Sequence, residues 1–168
     1  APVSNWAAKV PGARAVLERT VGIASDRTLP TFERETLQDW FDARGGSRVT
    51  VGEADRHVVL LPDTYTNYSH PDVGKAAVEV LEAAGVHVAV AAVTDSGRPA
   101  FSKGYLDIAR ETAKETVDAL APRIKNGWDV VVAEPSDAVM LQSDYGDLLS
   151  GSDVETVQAN SYGVCEYL

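Results

Sequence analysis

Residues 57–97 read HVVLLPDTYTNYSHPDVGKAAVEVLEAAGVHVAVAAVTDSG. Two largely apolar, valine-rich runs, 57–61 and 86–93, predict strands that are covered on both faces. Between them, Pro71 to Ala84 predicts a helix, because Pro71 suits a first turn and Gly85 can end the last one. A strand, a helix and a second strand in this order predict a parallel pair with a right-handed crossover.

The same alternation continues towards the C-terminus and predicts the fold. Ser102 to Leu120 predicts a helix that ends before Pro122, and residues 128–133 predict a third strand. Two more helices are predicted at 137–149 and 153–168. Upstream, residues 5–22 and 33–43 predict helices, the first interrupted at Pro11-Gly12. We therefore expect a three-layer α/β domain with a short parallel sheet (βαβαβα) at 49–168, preceded by a helical connector at 1–48.

Polar side chains follow each predicted strand where it ends. The three loops are Pro62-Asp63-Thr64, Asp95-Ser96-Gly97 and Glu134-Pro135-Ser136-Asp137. Loops at the carboxyl ends of parallel strands line one crevice, where ligands usually bind. We therefore expect four carboxylates and two hydroxyls to crowd one crevice.

These loops allow three interpretations on residue type alone. Four carboxylates could form a hard-cation site, since oxygen ligands suit Mg²⁺ and Ca²⁺ (Asp63, Asp95, Glu134 and Asp137). Arg98 and Lys103, near the start of the second helix, could bind an anion. The loops could also be purely structural, with Ser136 or Asp137 capping the third helix.

Motifs and charge exclude several classes of protein. The chain carries no GxGxxG, no GxxxxGK[ST] and no GxSxG motif, which argues against the usual dinucleotide, phosphate-loop and hydrolase sites. The net charge of −10 disfavours nucleic acid as a partner. Only five lysines stand against fourteen aspartates, which favours a halophilic origin; the alternative is an acidic mesophilic protein. No apolar run is long enough to cross a bilayer.

The chain has a single cysteine, Cys165, so neither an internal disulfide nor a thiolate metal cage can form within it. The residue lies in an apolar pattern with helical spacing, together with Val157, Val164 and Leu168. That pattern predicts a buried thiol in the core.

The loops and their flanks resemble a known family. The matching blocks are 61–68 (LPDTYTNY), 71–86 (PDVGKAAVEVLEAAGV), 95–100 (DSGRPA), 102–110 (SKGYLDIAR) and 134–137 (EPSD). They resemble the cysteine-rich CCG domain of the iron–sulfur subunits of glycolate oxidase, anaerobic glycerol-3-phosphate dehydrogenase and heterodisulfide reductase. This domain also occurs at the C-terminus of fused FAD-linked D-lactate dehydrogenases, and residues 5–41 look like the connector that precedes it there.

The resemblance implies a cluster site whose ligands are missing here. The family's loops read roughly Phe-Pro-Gly-Cys-Tyr, Cys-Cys-Gly-Arg-Pro and Cys/Glu-Pro-Ser-Cys. The cysteine positions are occupied here by Thr64, Asp95, Ser96 and Asp137, and Glu134 stands where glutamate already occurs in the family. Iron–sulfur clusters need soft thiolate ligands, and these are hard oxygen donors. We therefore expect no cofactor in this chain.

The resemblance also implies a parent protein. It would be an FAD-linked dehydrogenase of a small 2-hydroxy acid such as D-lactate or glycolate, or of glycerol 3-phosphate. FAD and iron–sulfur clusters would lie elsewhere in the parent, and this chain would be the first of two tandem CCG domains. Its partners would be the rest of the parent or redox subunits, in the cytoplasm or at the inner face of the cell membrane. We expect the chain alone to be a non-catalytic scaffold; the alternative is a free-standing acidic module that binds an anion or a divalent cation.

Overall fold

The sheet lies at the centre of the described part of the chain. A computed structural model describes residues 5–6, 10, 12–24, 26–27 and 29–168. Within them, four parallel strands form one sheet in the spatial order β2-β1-β3-β4. The strands are β1 (Arg56–Leu61), β2 (Val86–Val90), β3 (Asp129–Val132) and β4 (Ser161–Gly163). The predicted α/β class with a parallel sheet is confirmed.

Helices cover both faces of this sheet. In chain order they are α1 (Ala13–Val21), α2 (Leu37–Ala43), α3 (Thr64–Tyr68), α4 (Pro71–Ala83), α5 (Arg98–Ser102), α6 (Leu106–Ile124), α7 (Pro135–Val139), α8 (Tyr145–Leu148), α9 (Ser152–Ala159) and α10 (Val164–Tyr167). A π-helical turn, Met140–Asp144, joins α7 to α8. No helix among the described residues has the length and apolarity needed to cross a membrane.

The hydrophobic core consists of two clusters, one on each face of the sheet, because side chains along each strand point alternately to the two faces. Val59 and Leu61 pack with the buried face of α6 and with the segment from α7 to α9. Val58 and Leu60 point the other way and pack with α2 and α4. Because successive side chains of a strand point to opposite faces, a run of four apolar residues fills both layers. The three-layer prediction is therefore confirmed.

Helix α2 belongs to this core. Its N-terminus has a capping box, in which the Thr36 hydroxyl accepts a hydrogen bond from the Asp39 amide at 3.0 Å and the Thr36 amide donates to the Asp39 carboxylate at 3.1 Å. The sequence pattern predicted that this helix begins at residue 33. It begins at Leu37 instead, because the capping box fixes Thr36 as its N-cap. Leu37 and Phe41 are buried against the sheet.

The central helices begin and end differently from the predictions. The predicted helix 102–120 begins only at Leu106, because a turn at Gly104 (φ 77°) separates α6 from the short α5, which ends at Ser102. Pro122 does not stop α6, because it lies in the last turn and is exposed, so the helix continues to Ile124. The predicted helix 137–149 starts two residues earlier and contains the π-helical turn.

The C-terminal helix prediction, 153–168, is wrong. Helix α9 ends at Ala159, and the chain then forms β4, because the Val130 amide donates to the Asn160 carbonyl at 2.8 Å and extends the sheet. The prediction of a buried Cys165 is also wrong: the thiol lies on the exposed side of the short α10, whereas Val164 and Tyr167 face the core.

The predicted helix at 5–22 is described only in part. Residues 13–21 form α1, between left-handed Gly12 (φ 85°) and Gly22 (φ 73°). The prediction for 7–9 and 11 lies outside the described residues. Near the start of the chain, Asn5 pairs through its side-chain amide with both backbone groups of Phe32, at 2.7 and 3.0 Å.

Candidate functional site

The three polar loops meet at the carboxyl ends of β1, β2 and β3, as their position in a parallel sheet predicts. Together they line a small cavity of about 150 Å³. The residues that line it are Asp63, Thr64, Tyr65, Thr94, Asp95, Ser96, Pro99 and Asp137. Glu134, the fourth predicted carboxylate, is exposed and is not among these lining residues.

The first loop is held by Asp63, which caps α3. Its carboxylate accepts hydrogen bonds from the amides of Tyr65 at 2.8 Å and Thr66 at 3.0 Å, and from the Thr66 hydroxyl. Both oxygens of this buried carboxylate are therefore used within its own turn. The neighbouring Thr64 is exposed, and its hydroxyl donates to the Thr94 carbonyl at 3.3 Å.

The second loop is a tight turn before α5. The Gly97 amide donates to the Asp95 carboxylate at 2.8 Å, and Gly97 has a left-handed φ of 83°. A Cβ atom at this position would lie 3.0 Å from the Ala109 carbonyl oxygen, so the turn requires glycine for its conformation and for its contact with α6. Ser96 is buried; its hydroxyl oxygen accepts a hydrogen bond from the Arg98 amide at 3.1 Å, and its O–H donates to the Asp137 carboxylate.

The third loop uses a different cap from the predicted one. Glu134, not Ser136 or Asp137, caps α7, accepting from the Ser136 amide at 3.2 Å and from the Ser136 hydroxyl at 2.9 Å. Asp137 turns inward instead and is 7% exposed. The Ser96–Asp137 hydrogen bond thus joins the second loop to the third across the crevice.

The environment of Asp137 disfavours its charge. Burial raises the pKa of this carboxyl from 3.8 to about 6, and the nearby carboxylates Asp63, Glu134 and Asp95 also act to raise the pKa. The hydrogen bond from Ser96 acts in the opposite direction and lowers it. The crevice therefore contains one carboxyl group that changes its charge close to neutral pH.

Sequence reasoning missed two residues that support this crevice. The buried Tyr145 hydroxyl donates to the Ser96 carbonyl at 2.9 Å, and the Thr116 hydroxyl donates to the Asp95 carbonyl at 2.8 Å. Burial raises the pKa of Tyr145, so this residue stays a neutral donor. Thr116 could have been noticed, because it lies one helical turn from Ala113 and Leu120 on the buried face of α6. Tyr145 directly follows the π-helical turn, and no sequence pattern indicated that turn.

The predicted anion-binding pair is not assembled by the described contacts. The Arg98 guanidinium pairs with the Asp144 carboxylate, with 2.5 Å between Nη1 and Oδ2. Lys103 is exposed at the end of α5. Neither residue lines the crevice cavity. Anion binding by Arg98 and Lys103 stays a prediction.

The donor set of the crevice does not fit an iron–sulfur cluster. Its side chains offer hydroxyl and carboxylate oxygens, whereas a cluster is held by thiolates. The single cysteine of the chain, Cys165, lies elsewhere, beside Ala133 and Val164. A hard-cation site stays a prediction; within the described parts of the chain, no three His, Cys, Asp or Glu side chains are placed to hold a metal ion.

Three proteins of known name are similar to this chain. One subunit of the anaerobic glycerol-3-phosphate dehydrogenase of Escherichia coli K12 is 25% identical over 152 residues, 89% of this chain and 38% of that protein. D-2-hydroxyglutarate dehydrogenase of the same strain is 23% identical over 149 residues, 84% of this chain and 14% of that protein. Lactate utilization protein A 1 of Bacillus mycoides KBAB4 is 31% identical over 87 residues, 51% of this chain and 34% of that protein.

These distant relatives are a dehydrogenase, a dehydrogenase subunit and a lactate utilization protein. The predicted resemblance to parts of oxidoreductases is confirmed at that level. The chain spans at most 38% of the length of the relatives described. No protein-family model matches the chain, and no solved structure matches it significantly.

Proposed function

We propose that this chain is a degenerate CCG domain, a non-catalytic scaffold within an FAD-linked oxidoreductase that has lost its own iron–sulfur cluster. The observation that carries the proposal is the Ser96–Asp137 hydrogen bond. Two side chains at the proposed former ligand positions bind each other across the crevice. The backbone carbonyls of Ser96 and Asp95 accept hydrogen bonds from Tyr145 and Thr116, which hold the second loop in place. A polar network of this kind holds the loops together where thiolates and metal would otherwise do so.

The relatives support a redox parent. All three that are described carry substrate or pathway names from the chemistry of glycerol 3-phosphate, 2-hydroxyglutarate or lactate. The parent would oxidise a small 2-hydroxy acid such as D-lactate or glycolate, or glycerol 3-phosphate, with a flavin taking the hydride in a different module. The scaffold would keep the flavin module and the iron–sulfur modules in register.

The organisation of the parent is part of the proposal. This chain would be the first of two tandem CCG-type domains, in which the connector at 1–48 contributes α2 to the core of the domain at 49–168. The parent would act in the cytoplasm or at the inner face of the cell membrane, with redox subunits as its partners. The excess of aspartate over lysine supports a halophilic, haloarchaeal source, because acidic surfaces keep proteins soluble in concentrated salt.

The parent itself provides the test. The complete reading frame should encode a C-x-x-C-x-x-C-x-x-x-C-P run for ferredoxin-type clusters, and the natively purified protein should contain flavin and reduce a dye with a 2-hydroxy acid or glycerol 3-phosphate. A natural protein without flavin, in a frame that encodes this module alone, would refute the proposal and favour a free-standing binding module.

A further inference from the structure

Two histidines lie side by side near the amino ends of the strands, at the edge of the sheet opposite the crevice. His57 on β1 and His87 on β2 are register partners in the parallel pair, so their side chains leave the same face of the sheet. The centres of their rings are 5.8 Å apart. We call His57 and His87 the histidine pair. Neither residue lines the crevice, so what the pair binds does not depend on the proposed function.

The segment between α2 and β1 fixes the proton of each ring. His57 Nε2 lies 3.1 Å from the carbonyl oxygen of Val51. His87 Nδ1 lies 2.6 Å from the carbonyl oxygen of Val49. A carbonyl oxygen can only accept a hydrogen bond, so in each neutral ring this nitrogen carries the proton and the second nitrogen keeps its lone pair. Metal-binding histidines are oriented in this way, by donating one ring N–H to a backbone carbonyl.

The second nitrogens of the pair are accessible. Among the described residues, no hydrogen bond occupies His57 Nδ1 or His87 Nε2. In the same part of the chain, the side-chain nitrogen or oxygen that is buried without a partner is Arg44 Nη1, so solvent reaches both second nitrogens of the pair. Two neighbouring lone pairs on one face of the sheet can therefore meet a ligand from solution.

An indole ring packs against both imidazoles. The ring of Trp128, directly before β3, has its centre 5.4 Å from that of His57 and 5.4 Å from that of His87. The guanidinium carbon of Arg123 lies over this indole, 5.0 Å from its centre. Because this group is positive and does not attract a cation, the imidazole nitrogens must supply the affinity for any metal ion bound here.

We propose that the histidine pair binds one divalent late transition-metal ion of the Cu²⁺, Ni²⁺ or Zn²⁺ class. Imidazole nitrogen suits these metals, whereas Mg²⁺ and Ca²⁺ prefer oxygen ligands. Metal–nitrogen bonds of about 2.1 Å place an ion about 3.2 Å from each ring centre, so two rings that share it have centres about 4.5–6.4 Å apart. The observed 5.8 Å lies in this range. Within the described parts of the chain, no third His, Cys, Asp or Glu side chain joins the pair, so water completes the coordination.

Cu²⁺ is the probe, because it binds nitrogen ligands more tightly than the other two metals. One equivalent added to the 168-residue chain should give an electron paramagnetic resonance spectrum with coupling to two imidazole nitrogens. His57→Gln and His87→Gln should each weaken Cu²⁺ binding about tenfold or more, since a single imidazole cannot chelate the ion. The matched control is His70→Gln, at the exposed third histidine before α4, which should bind Cu²⁺ as the wild type does. Far-ultraviolet circular dichroism checks that the three variants are folded.

A measurement on the wild type keeps the test independent of the variants. Zn²⁺ should shift the imidazole nuclear magnetic resonance signals of His57 and His87 and leave those of His70 in place. A Cu²⁺ spectrum without nitrogen coupling, or a Zn²⁺ shift confined to His70, would overturn the proposal. So would undiminished binding by either variant of the pair, or an equal loss of binding in His70→Gln.

Discussion

Replacing Asp137 by Asn should stabilise the protein at neutral pH and remove part of its pH dependence. The pKa of Asp137 is raised to about 6 from an ordinary 3.8, mainly by burial. The folded protein therefore binds this proton more tightly than the unfolded chain. The stabilising contribution of protonated Asp137 to the free energy of unfolding is fully present below about pH 4. It is lost as the pH rises through about 6, and above that pH the buried carboxylate lowers the free energy of unfolding.

The size of the effect follows from the two pKa values. A difference of roughly 2 pH units corresponds to about 3 kcal/mol as an upper limit. Solvent at the crevice screens part of this electrostatic energy. We therefore expect Asp137→Asn to raise the free energy of unfolding by about 1–2 kcal/mol at about pH 7.5. Asparagine keeps an oxygen that can accept the Ser96 hydroxyl, so the loop contact survives.

Urea unfolding at constant ionic strength, from about pH 4 to about pH 7.5, measures this difference. Wild type and Asp137→Asn should be equally stable at the acidic end and diverge as the pH rises. The control is Asp42→Asn, an exposed aspartate on α2, whose effect should be small at every pH. If Asp137→Asn is less stable than wild type at the upper end of the range, or if the difference does not vary with pH, the assigned environment of Asp137 is wrong.

Three further predictions concern the fold that positions the crevice. Glu82→Ala should lower the free energy of unfolding in urea by about 3–5 kcal/mol, because it leaves the largely buried Arg44 without its carboxylate partner. As a control, Glu79→Ala, at an exposed position of the same helix, should change this free energy little. Gly74→Ala should cost about 1–3 kcal/mol, since its Cβ would lie 2.3 Å from a methyl group of Leu37, while Gly52→Ala, with no neighbour within 4 Å, serves as control. A fragment of residues 33–168 should fold, as judged by near-ultraviolet circular dichroism. The shorter fragment 49–168 should not fold, because it lacks the buried Leu37 and Phe41 of α2. If 49–168 does fold, α2 is dispensable.

The sequence contained enough to predict the central sheet and the meeting of the loops. The runs 58–61 and 130–132 are short and consist of valine and leucine, and hydrophobic burial on both faces allows few other structures for them. Their order fixes which ends share an edge, so the crevice of Asp63, Asp95 and Asp137 followed from topology.

The errors have local physical causes. The segment 153–168 has helical spacing, but backbone pairing of Asn160 with Val130 gives β4 instead, and only the neighbouring strand makes that pairing possible. Cys165, which that spacing placed in the core, is exposed on α10. The Ser96–Asp137 hydrogen bond and its support from Tyr145 depend on side-chain orientations across three elements, which periodicity does not report.

The central claim is that oxygen side chains replace the cluster ligands in this crevice. Anaerobic reconstitution of the purified chain with iron and sulfide, followed by iron analysis and electron paramagnetic resonance, tests the claim most directly. Wild type should retain no cluster, whereas a variant with cysteine at positions 64, 95, 96 and 137 should gain iron and a cluster absorption, because the loops already converge there. One stoichiometric cluster on the wild-type chain would contradict the account.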